Sequence, residues 1–453
     1  MNNQTIGMVS LGCSKNQVDA ERLLAALKGA GYEISPDPEH CDLVIINTCG
    51  FIESAKQEAI EVILSFAREK QAGMIGGLIV TGCLSERYRD EFIREFPEVD
   101  GVLGIGKNTE IVRAAEAVLR GEQYMAFGEK EALPLEGERL LSGPVHSVYL
   151  KIAEGCDNRC SYCAIPDIRG RFRSRPIENI IEEAGVLVQA GAREINLVAQ
   201  DTTRYGEDLY GKLMLPELLG KLCEIPQLRW IRLLYCYPDR VSDELLSVMR
   251  EQPKVVKYMD LPIQHACGKV LREMNRGGDE SSLRALIGHI RAQVPGIVLR
   301  TALIAGFPGE SEADFETLCR FVQDIRFERL GCFAYSQEEG TPAGERPDQL
   351  EPELRQRRAE IIMETQATIA QENAQKMVGQ EIEVLCEGHD KERELFLGRS
   401  AADAPDVDTR VYFTARGDVR AGDFLWVRVT GADGYDLLGS ASPSHAQTTS
   451  ADL

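Results

Sequence analysis

Gly155-Cys156-Asp157-Asn158-Arg159-Cys160-Ser161-Tyr162-Cys163 is the stretch on which the reading of this 453-residue chain turns. Its three cysteines stand at C-x₃-C-x₂-C spacing just after an apolar, strand-like run over residues 148–153. Iron–sulfur clusters are ordinarily closed by four cysteines. Three thiolates on a tight loop hold three irons and leave the fourth open to a small molecule. A zinc site would pair C-x₂-C units or add a histidine pair, and neither lies near this loop. A disulfide framework is disfavoured by the chain's length, by an odd total of 13 cysteines and by the lack of an export signal.

The loop resembles the cluster-binding segment of the radical S-adenosylmethionine (SAM) enzymes. The resemblance implies that Cys156, Cys160 and Cys163 carry the catalytic 4Fe-4S cluster. It also implies that the amino and carboxylate groups of SAM chelate the open iron, and that an electron from the cluster cleaves SAM to a 5′-deoxyadenosyl radical. Tyr162, the aromatic just before the third cysteine, is then expected near the adenine.

Composition bounds the rest. Lys and Arg number 51 against 72 Asp and Glu, a net charge of −21. Nucleic-acid binding leans on a basic surface, whereas a strongly acidic protein is matched to a basic partner. Hydrophobic content of 43% is ordinary for a globular protein, and the length suits two or three domains. No apolar run approaches the roughly 20 residues that span a bilayer, and residues 1–11 lack the pattern of a signal peptide. No membrane partner is therefore expected. The cysteines read as reduced thiols and metal ligands, which implies a cytoplasmic protein.

Upstream of the loop, residues 1–120 alternate strand-like runs (6–11, 43–47, 78–81) with helical patterns. That repetition predicts a doubly wound α/β domain with a parallel sheet. Cys13, Cys49 and Cys83 each follow one of these runs closely. Ligands of open parallel sheets sit outside the carboxyl ends of the strands, and neighbouring strands lie about 4.8 Å apart. A single such cysteine would be read as a small buried hydrophobe; three at equivalent positions favour ligation.

The motifs Ser10-Leu11-Gly12-Cys13-Ser14-Lys15-Asn16, Ile46-Asn47-Thr48-Cys49-Gly50-Phe51-Ile52 and Thr81-Gly82-Cys83-Leu84 resemble the N-terminal domain of the methylthiotransferases. The resemblance implies a second 4Fe-4S cluster on Cys13, Cys49 and Cys83, whose open iron binds the sulfur to be transferred. The expected cofactors are thus two 4Fe-4S clusters and SAM. The reaction also needs an electron donor and a sulfur source, which no motif designates.

Downstream, residues 121–146 are rich in Gly, Glu and Pro and read as a linker. Residues 147–375 carry strand-like runs at 194–199, 230–235, 257–261, 298–304 and 330–335 with helical patterns between them. Six strand–helix repeats fit the open, partial (β/α)6 barrel of the radical SAM core, with functional residues at the carboxyl-end loops. Gln200, Asp201, Gln264 and Gly306 lie on such loops and are expected, with Tyr162, to contact SAM. Arg300 either meets the SAM carboxylate from inside the barrel or points outward. Arg169, Arg171, Arg173 and Arg175 read by default as a solvated basic run, and His265 as structural.

A long polar helix over 355–377 leads to short alternating strands in 376–440, which predict a small antiparallel barrel resembling a TRAM domain. Residues 441–453 read as a disordered tail. Members of the family modify either adenosine in tRNA or a ribosomal protein. From Lys376 to Ser440 there are thirteen Asp or Glu against eight Lys or Arg, a net of −5. An RNA-gripping barrel should be basic. The acidic one suits a lysine- and arginine-rich ribosomal protein, and the motifs Ser10-Leu11-Gly12-Cys13, Asn47-Thr48-Cys49-Gly50-Phe51-Ile52 and Tyr335-Ser336-Gln337-Glu338-Glu339-Gly340-Thr341-Pro342 resemble the branch that methylthiolates an aspartate β-carbon in ribosomal protein S-twelve of the small subunit.

Overall fold

A computed structural model describes residues 4–442. The N-terminal strands β1 (Thr5–Ser10), β2 (Glu33–Ser35), β3 (Leu43–Thr48), β4 (Gly77–Gly82), β5 (Gly101–Leu103) and β6 (Tyr124–Ala126) form one parallel sheet in the order β2-β1-β3-β4-β5-β6. Helices α1 (Ser14–Gly29), α2 (Glu53–Gln71), α3 (Cys83–Glu95) and α4 (Ile111–Leu119) alternate with the strands. The period of two along β3 feeds two cores. Val44 and Ile46 pack with Ile63 and Phe66 of α2, while Leu43 and Ile45 pack with Leu23 and Leu27 of α1 and Ile111 of α4. A sheet covered on both faces explains why all six residues of β3 are buried.

One expectation needs correction here. The segment 121–146 is not linker throughout, because Tyr124–Ala126 pairs with β5 as an edge strand. Three residues are too few to show an alternation in sequence. Further along the same segment Arg139 lies between the domains and pairs with Glu21 at 2.5 Å and Glu183 at 2.8 Å.

The central sheet joins β7 (Ser147–Lys151), β10 (Glu194–Val198), β11 (Trp230–Leu233), β12 (Val255–Asp260), β13 (Val298–Ala305) and β14 (Arg329–Ala334), while β8 (Ala153–Glu154) and β9 (Arg173–Ser174) form a small antiparallel pair beside it. All pairs in the central sheet are parallel, in the order β14-β13-β12-β11-β10-β7. β7 and β14 do not pair, so the barrel is open. Helices α5 (Ile165–Arg169), α6 (Ile177–Gln189), α7 (Glu207–Tyr210), α8 (Leu215–Cys223), α9 (Asp243–Glu251), α10 (Gly268–Glu273), α11 (Glu280–Gln293), α12 (Glu312–Ile325) and α13 (Pro352–Met377) complete the domain. Along β13, Leu299, Leu303 and Ala305 enter the large core shared with the helices, and the alternate residues face the concave side.

The last unit is a closed barrel of β15 (Glu381–Asp390), β16 (Leu395–Ser400), β17 (Val411–Thr414), β18 (Phe424–Asp433) and β19 (Asp436–Ala441), in the order β15-β16-β17-β19-β18. It is not wholly antiparallel, since β17 and β19 run parallel. Five strands cannot close a ring with antiparallel neighbours only, so one pair must run the same way. The expected tail starts too early as well: Ala441 ends β19, and from residue 443 on the tail lies outside the described residues. The loop from Ala401 to Asp408 docks against the concave side of the open barrel. Arg399 meets Glu194 at 2.6 Å, Arg329 meets Asp403 at 2.5 Å, and the Tyr258 hydroxyl donates to Asp408 at 2.6 Å.

Candidate active site between two cysteine triads

β1, β3 and β4 are neighbours in the N-terminal sheet, so the loops carrying Cys13, Cys49 and Cys83 leave the same edge side by side. Each of these cysteines has a glycine beside it, and each glycine is needed for the loops to nest. A Cβ on Gly12 would sit 2.6 Å from the Cβ of Cys49, one on Gly50 2.7 Å from Leu84 Cα, and one on Gly82 2.4 Å from the Thr48 carbonyl oxygen. Asn16 ties the loops together, its side-chain amide donating to the carbonyls of Leu11 at 2.7 Å and of Asn47 and Thr48 at 3.3 Å.

The other triad follows β8. Gly155 adopts φ +77°, and a Cβ there would lie 2.1 Å from the Arg171 carbonyl oxygen. Cys156 N–H donates to Gly170 O at 3.1 Å, and Cys163 N–H to Cys160 O at 3.0 Å. The loop is pinned to the barrel by Asn158, which donates to Asp201 at 2.8 Å, and by Ser161, which donates to Glu273 O at 2.7 Å. Cys156, Cys160 and Cys163 line a cavity of about 490 Å³ that Arg89, Lys130 and Arg171 also line.

The two triads adjoin. Cys83 packs on Ala164 and Ile168, which follow the second triad. Arg169 spans the junction, with Nη2 3.4 Å from Cys83 Sγ and Nη1 2.7 Å from Asp19 and 3.1 Å from Glu154. Lys151 closes the network onto Asp19 and, at 2.7 Å, onto Glu154, the residue before Gly155. Burial would raise the Glu154 carboxyl, but Lys151 and Arg169 outweigh it and hold the group well below the usual carboxylate range. The basic run is thus not a solvated surface: Arg169 and Arg175 are each only 1% exposed, and only Arg171 stands in solvent, paired with Asp157 at 3.0 Å. Nothing in the sequence marks which arginines have buried carboxylates waiting across a domain boundary.

The thiols differ. Burial would raise Cys13, yet Lys15 and Arg169 draw it below its ordinary value. Burial pushes Cys49 up, Cys156 up to about 11 and Cys83 up to about 12, and a bound metal deprotonates a coordinating thiol outright. Among the described residues no three Cys, His, Asp or Glu side chains converge as tightly as a single metal ion requires. A four-iron cluster holds its thiolates farther apart than one ion does, and two all-cysteine triads on nested loops suit its donor chemistry.

The residues expected at SAM already have partners within the protein. Tyr162 lies against Val270, Met274, Phe307 and Tyr335 beside the cluster loop. Gln200 donates to Glu154 at 2.7 Å and leaves its buried Oε1 without a partner. The Asp201 oxygens accept from Asn158, Arg240, Thr203 and the Arg204 N–H. Gln264, at φ +70°, continues the ladder onto β13 through its backbone. Arg300 does reach the concave face, but it pairs with Asp260 at 2.9 Å and Asp408 at 3.5 Å, which makes it an interdomain clasp. Gly306 admits the backbone of α13, because a Cβ would lie 2.7 Å from Arg355 Cα. His265 is fully buried, with Nδ1 accepting from the Cys267 N–H at 2.9 Å and Nε2 3.3 Å from Glu310.

Two groups beside the cavity escaped the sequence reading. Arg276 stacks 4.1 Å over the Tyr237 ring, and the Tyr237 hydroxyl lies 3.6 Å from Cys160 Sγ. Neither stands in a motif; loop order alone brings both to the carboxyl ends of the strands.

Comparison with known proteins agrees with this architecture. Residues 5–104 match the uncharacterized protein family UPF0004, residues 150–322 the radical SAM superfamily and residues 378–441 the TRAM domain. Among solved structures, TsrM from Kitasatospora setae, a radical S-adenosylmethionine methyltransferase, superposes with a TM-score of 0.53 at 14% identity over 76% of this chain and 77% of that one. At that identity the likeness concerns the fold alone. Fold and cysteine triads together define a radical SAM enzyme with an appended TRAM barrel. The ribosomal protein uS12 methylthiotransferases RimO of Desulforamulus reducens and Geobacter sulfurreducens are each 48% identical over 96% of this chain, covering 99% and 98% of their own lengths. The chain belongs to that RimO family of methylthiotransferases.

Proposed function

We propose that this chain methylthiolates the β-carbon of an aspartate in ribosomal protein uS12, the S-twelve protein of the small subunit. The observation that carries the reading is the abutment of two cysteine triads across Arg169, in a chain that aligns over 96% of its length with uS12 methylthiotransferases. Cys156, Cys160 and Cys163 would hold one 4Fe-4S cluster with SAM at its open iron, and Cys13, Cys49 and Cys83 a second. When bound, these groups supply the one-electron chemistry and the sulfur that no side chain can offer to an unactivated carbon.

The chain's own residues do the positioning. Gly12, Gly50 and Gly82 let three strand ends share one site, and Gly155 sets the turn into the other. Arg169, fixed by Asp19 and Glu154, holds the two loops in register, while Ala164 and Ile168 keep their contact dry. An acidic TRAM barrel, net −5 between Lys376 and Ser440, suits a lysine- and arginine-rich ribosomal protein better than RNA phosphate. It adjoins the catalytic barrel through Glu194, Asp403 and Asp408.

The test is the intact mass of uS12 from cells with and without this gene. Loss of one methylthio group in the deletion, restored by the wild-type copy, is expected; an unchanged mass with altered tRNA nucleosides would overturn the reading. In the purified enzyme, Cys156→Ala should abolish SAM cleavage, whereas Cys49→Ala should retain it and transfer no sulfur. A Cys49→Ala enzyme that still methylthiolates uS12 would refute the two-cluster assignment.

A further inference from the structure

Lys15 opens α1 two residues after Cys13, and only 7% of it is exposed. Lys151, Arg169 and Arg175 of the same interface each meet carboxylates. Lys15 does not: among the described residues no carboxylate lies within ion-pairing distance of its ammonium. Instead Nζ stands 3.1 Å from the centroid of the Tyr235 ring. Lys15 favours the thiolate form of Cys13, but no carboxylate shares its enclosure, and an aromatic face offsets only part of the cost of burying a cation.

The support beneath it is built with care. Tyr235 follows β11 at the carboxyl end of the barrel, in the left-handed region at φ +60°. A bulky side chain there is strained, and such strain clusters at ligand sites. Two bonds hold it: Tyr235 N–H donates to Asp260 at 3.0 Å, and its carbonyl accepts from Thr202 N–H at 3.0 Å. On the neighbouring strand end, Gln200 leaves a buried oxygen unpartnered, an acceptor suited to a peptide N–H. The cation thus belongs to the sulfur-bearing domain, and its platform belongs to the barrel that carries the other triad.

We propose that Lys15 is the specificity-determining cation that binds the carboxylate of the aspartate to be modified. This inference rests on the uS12 reading. An aspartate carboxylate is bonded directly to the β-carbon. An ammonium two residues from Cys13 that grips the carboxylate therefore presents that carbon to the face where sulfur is held. The same cation leaves a neutral asparagine without charge compensation, so selection of aspartate is built into the loop that carries the first cysteine.

The experiment compares kcat/KM on purified uS12 with its Asp→Asn form at the modified position, for wild-type enzyme and Lys15→Met. Wild type should prefer the aspartate form by about 100-fold, the scale of losing one partner of an enclosed charge pair. Lys15→Met should lose that preference almost entirely, mainly through KM on the aspartate form. Iron content and substrate-free formation of 5′-deoxyadenosine report on the clusters. If both are intact in Lys15→Met and the preference persists, Lys15 is not the carboxylate site and the inference falls while the proposed function stands. If Lys15→Met loses iron, its role is to support Cys13, and the inference also falls. If wild type leaves the aspartate form unmodified, the function itself is overturned and this inference with it.

Discussion

Gly155 shows how much of the site rests on single residues. With φ +77° and the Arg171 carbonyl 2.1 Å from where a Cβ would stand, neither the conformation nor the space admits a side chain. Gly155→Ala should therefore displace Cys156 and lower bound iron toward the content of one cluster, read by iron assay, while Cys13, Cys49 and Cys83 keep theirs. Cys156, Cys160 and Cys163 were legible without coordinates because they share one loop, and Cys13, Cys49 and Cys83 because each follows a strand-like run. The charge around them was not. Asp19, Lys151, Glu154 and Arg169 form one buried network, and its members come from two domains. Asp201 and Arg300 illustrate the same limit: both lie in the region expected, yet each is already engaged by protein partners.

Among elements, β3 and β4 could be read from their apolar runs, since buried parallel strands leave a dense hydrophobic signature. β6 could not, because a three-residue edge strand has no periodicity to detect. The helix α13 is tied to the turn after β13 through Arg358, whose Nη1 lies 2.7 Å from Glu310; Glu310 in turn accepts from Gly306 N–H at 3.0 Å and Phe307 N–H at 3.3 Å. Arg358→Met would leave a buried carboxylate without its cation, so unfolding in urea should reveal a loss of about 3–5 kcal/mol. A loss below about 1 kcal/mol would mean that the backbone donors alone satisfy Glu310. Gly306 in this turn accommodates Arg355, and only the packing of α13 reveals that.

At the scale of the whole molecule, the junction between the open barrel and the TRAM barrel is held by charge. Burial would raise the Glu194 carboxyl, but Arg399 and Arg232 overcome this and lower it to about 2. A depressed carboxylate contributes stability that is complete above its unfolded value near 4.5 and disappears as pH falls through its folded value. Wild type should therefore exceed Glu194→Gln by about 3 kcal/mol near neutral pH, with the gap closing between pH 4.5 and 2. Taking the difference between the two proteins separates Glu194 from Asp403 and Asp408 in the same junction. A gap that does not change with pH would show that packing, not charge, distinguishes the variant.

The amino-acid sequence by itself determined the fold classes of the three units, the two sets of three cysteines and the family. These depend on local periodicity, on the spacing of Cys156, Cys160 and Cys163 along one loop and on the equivalent strand-end positions of Cys13, Cys49 and Cys83, which the chain carries wherever its domains sit. The tertiary structure alone decided that Arg169 joins the two triads, that Arg300 pairs with Asp260 and Asp408, and that Lys15 reaches Tyr235 with no carboxylate among the described residues beside it. Each of these is a meeting of side chains far apart in sequence. Their partners are chosen by how the domains dock, and no pattern within any one segment encodes that.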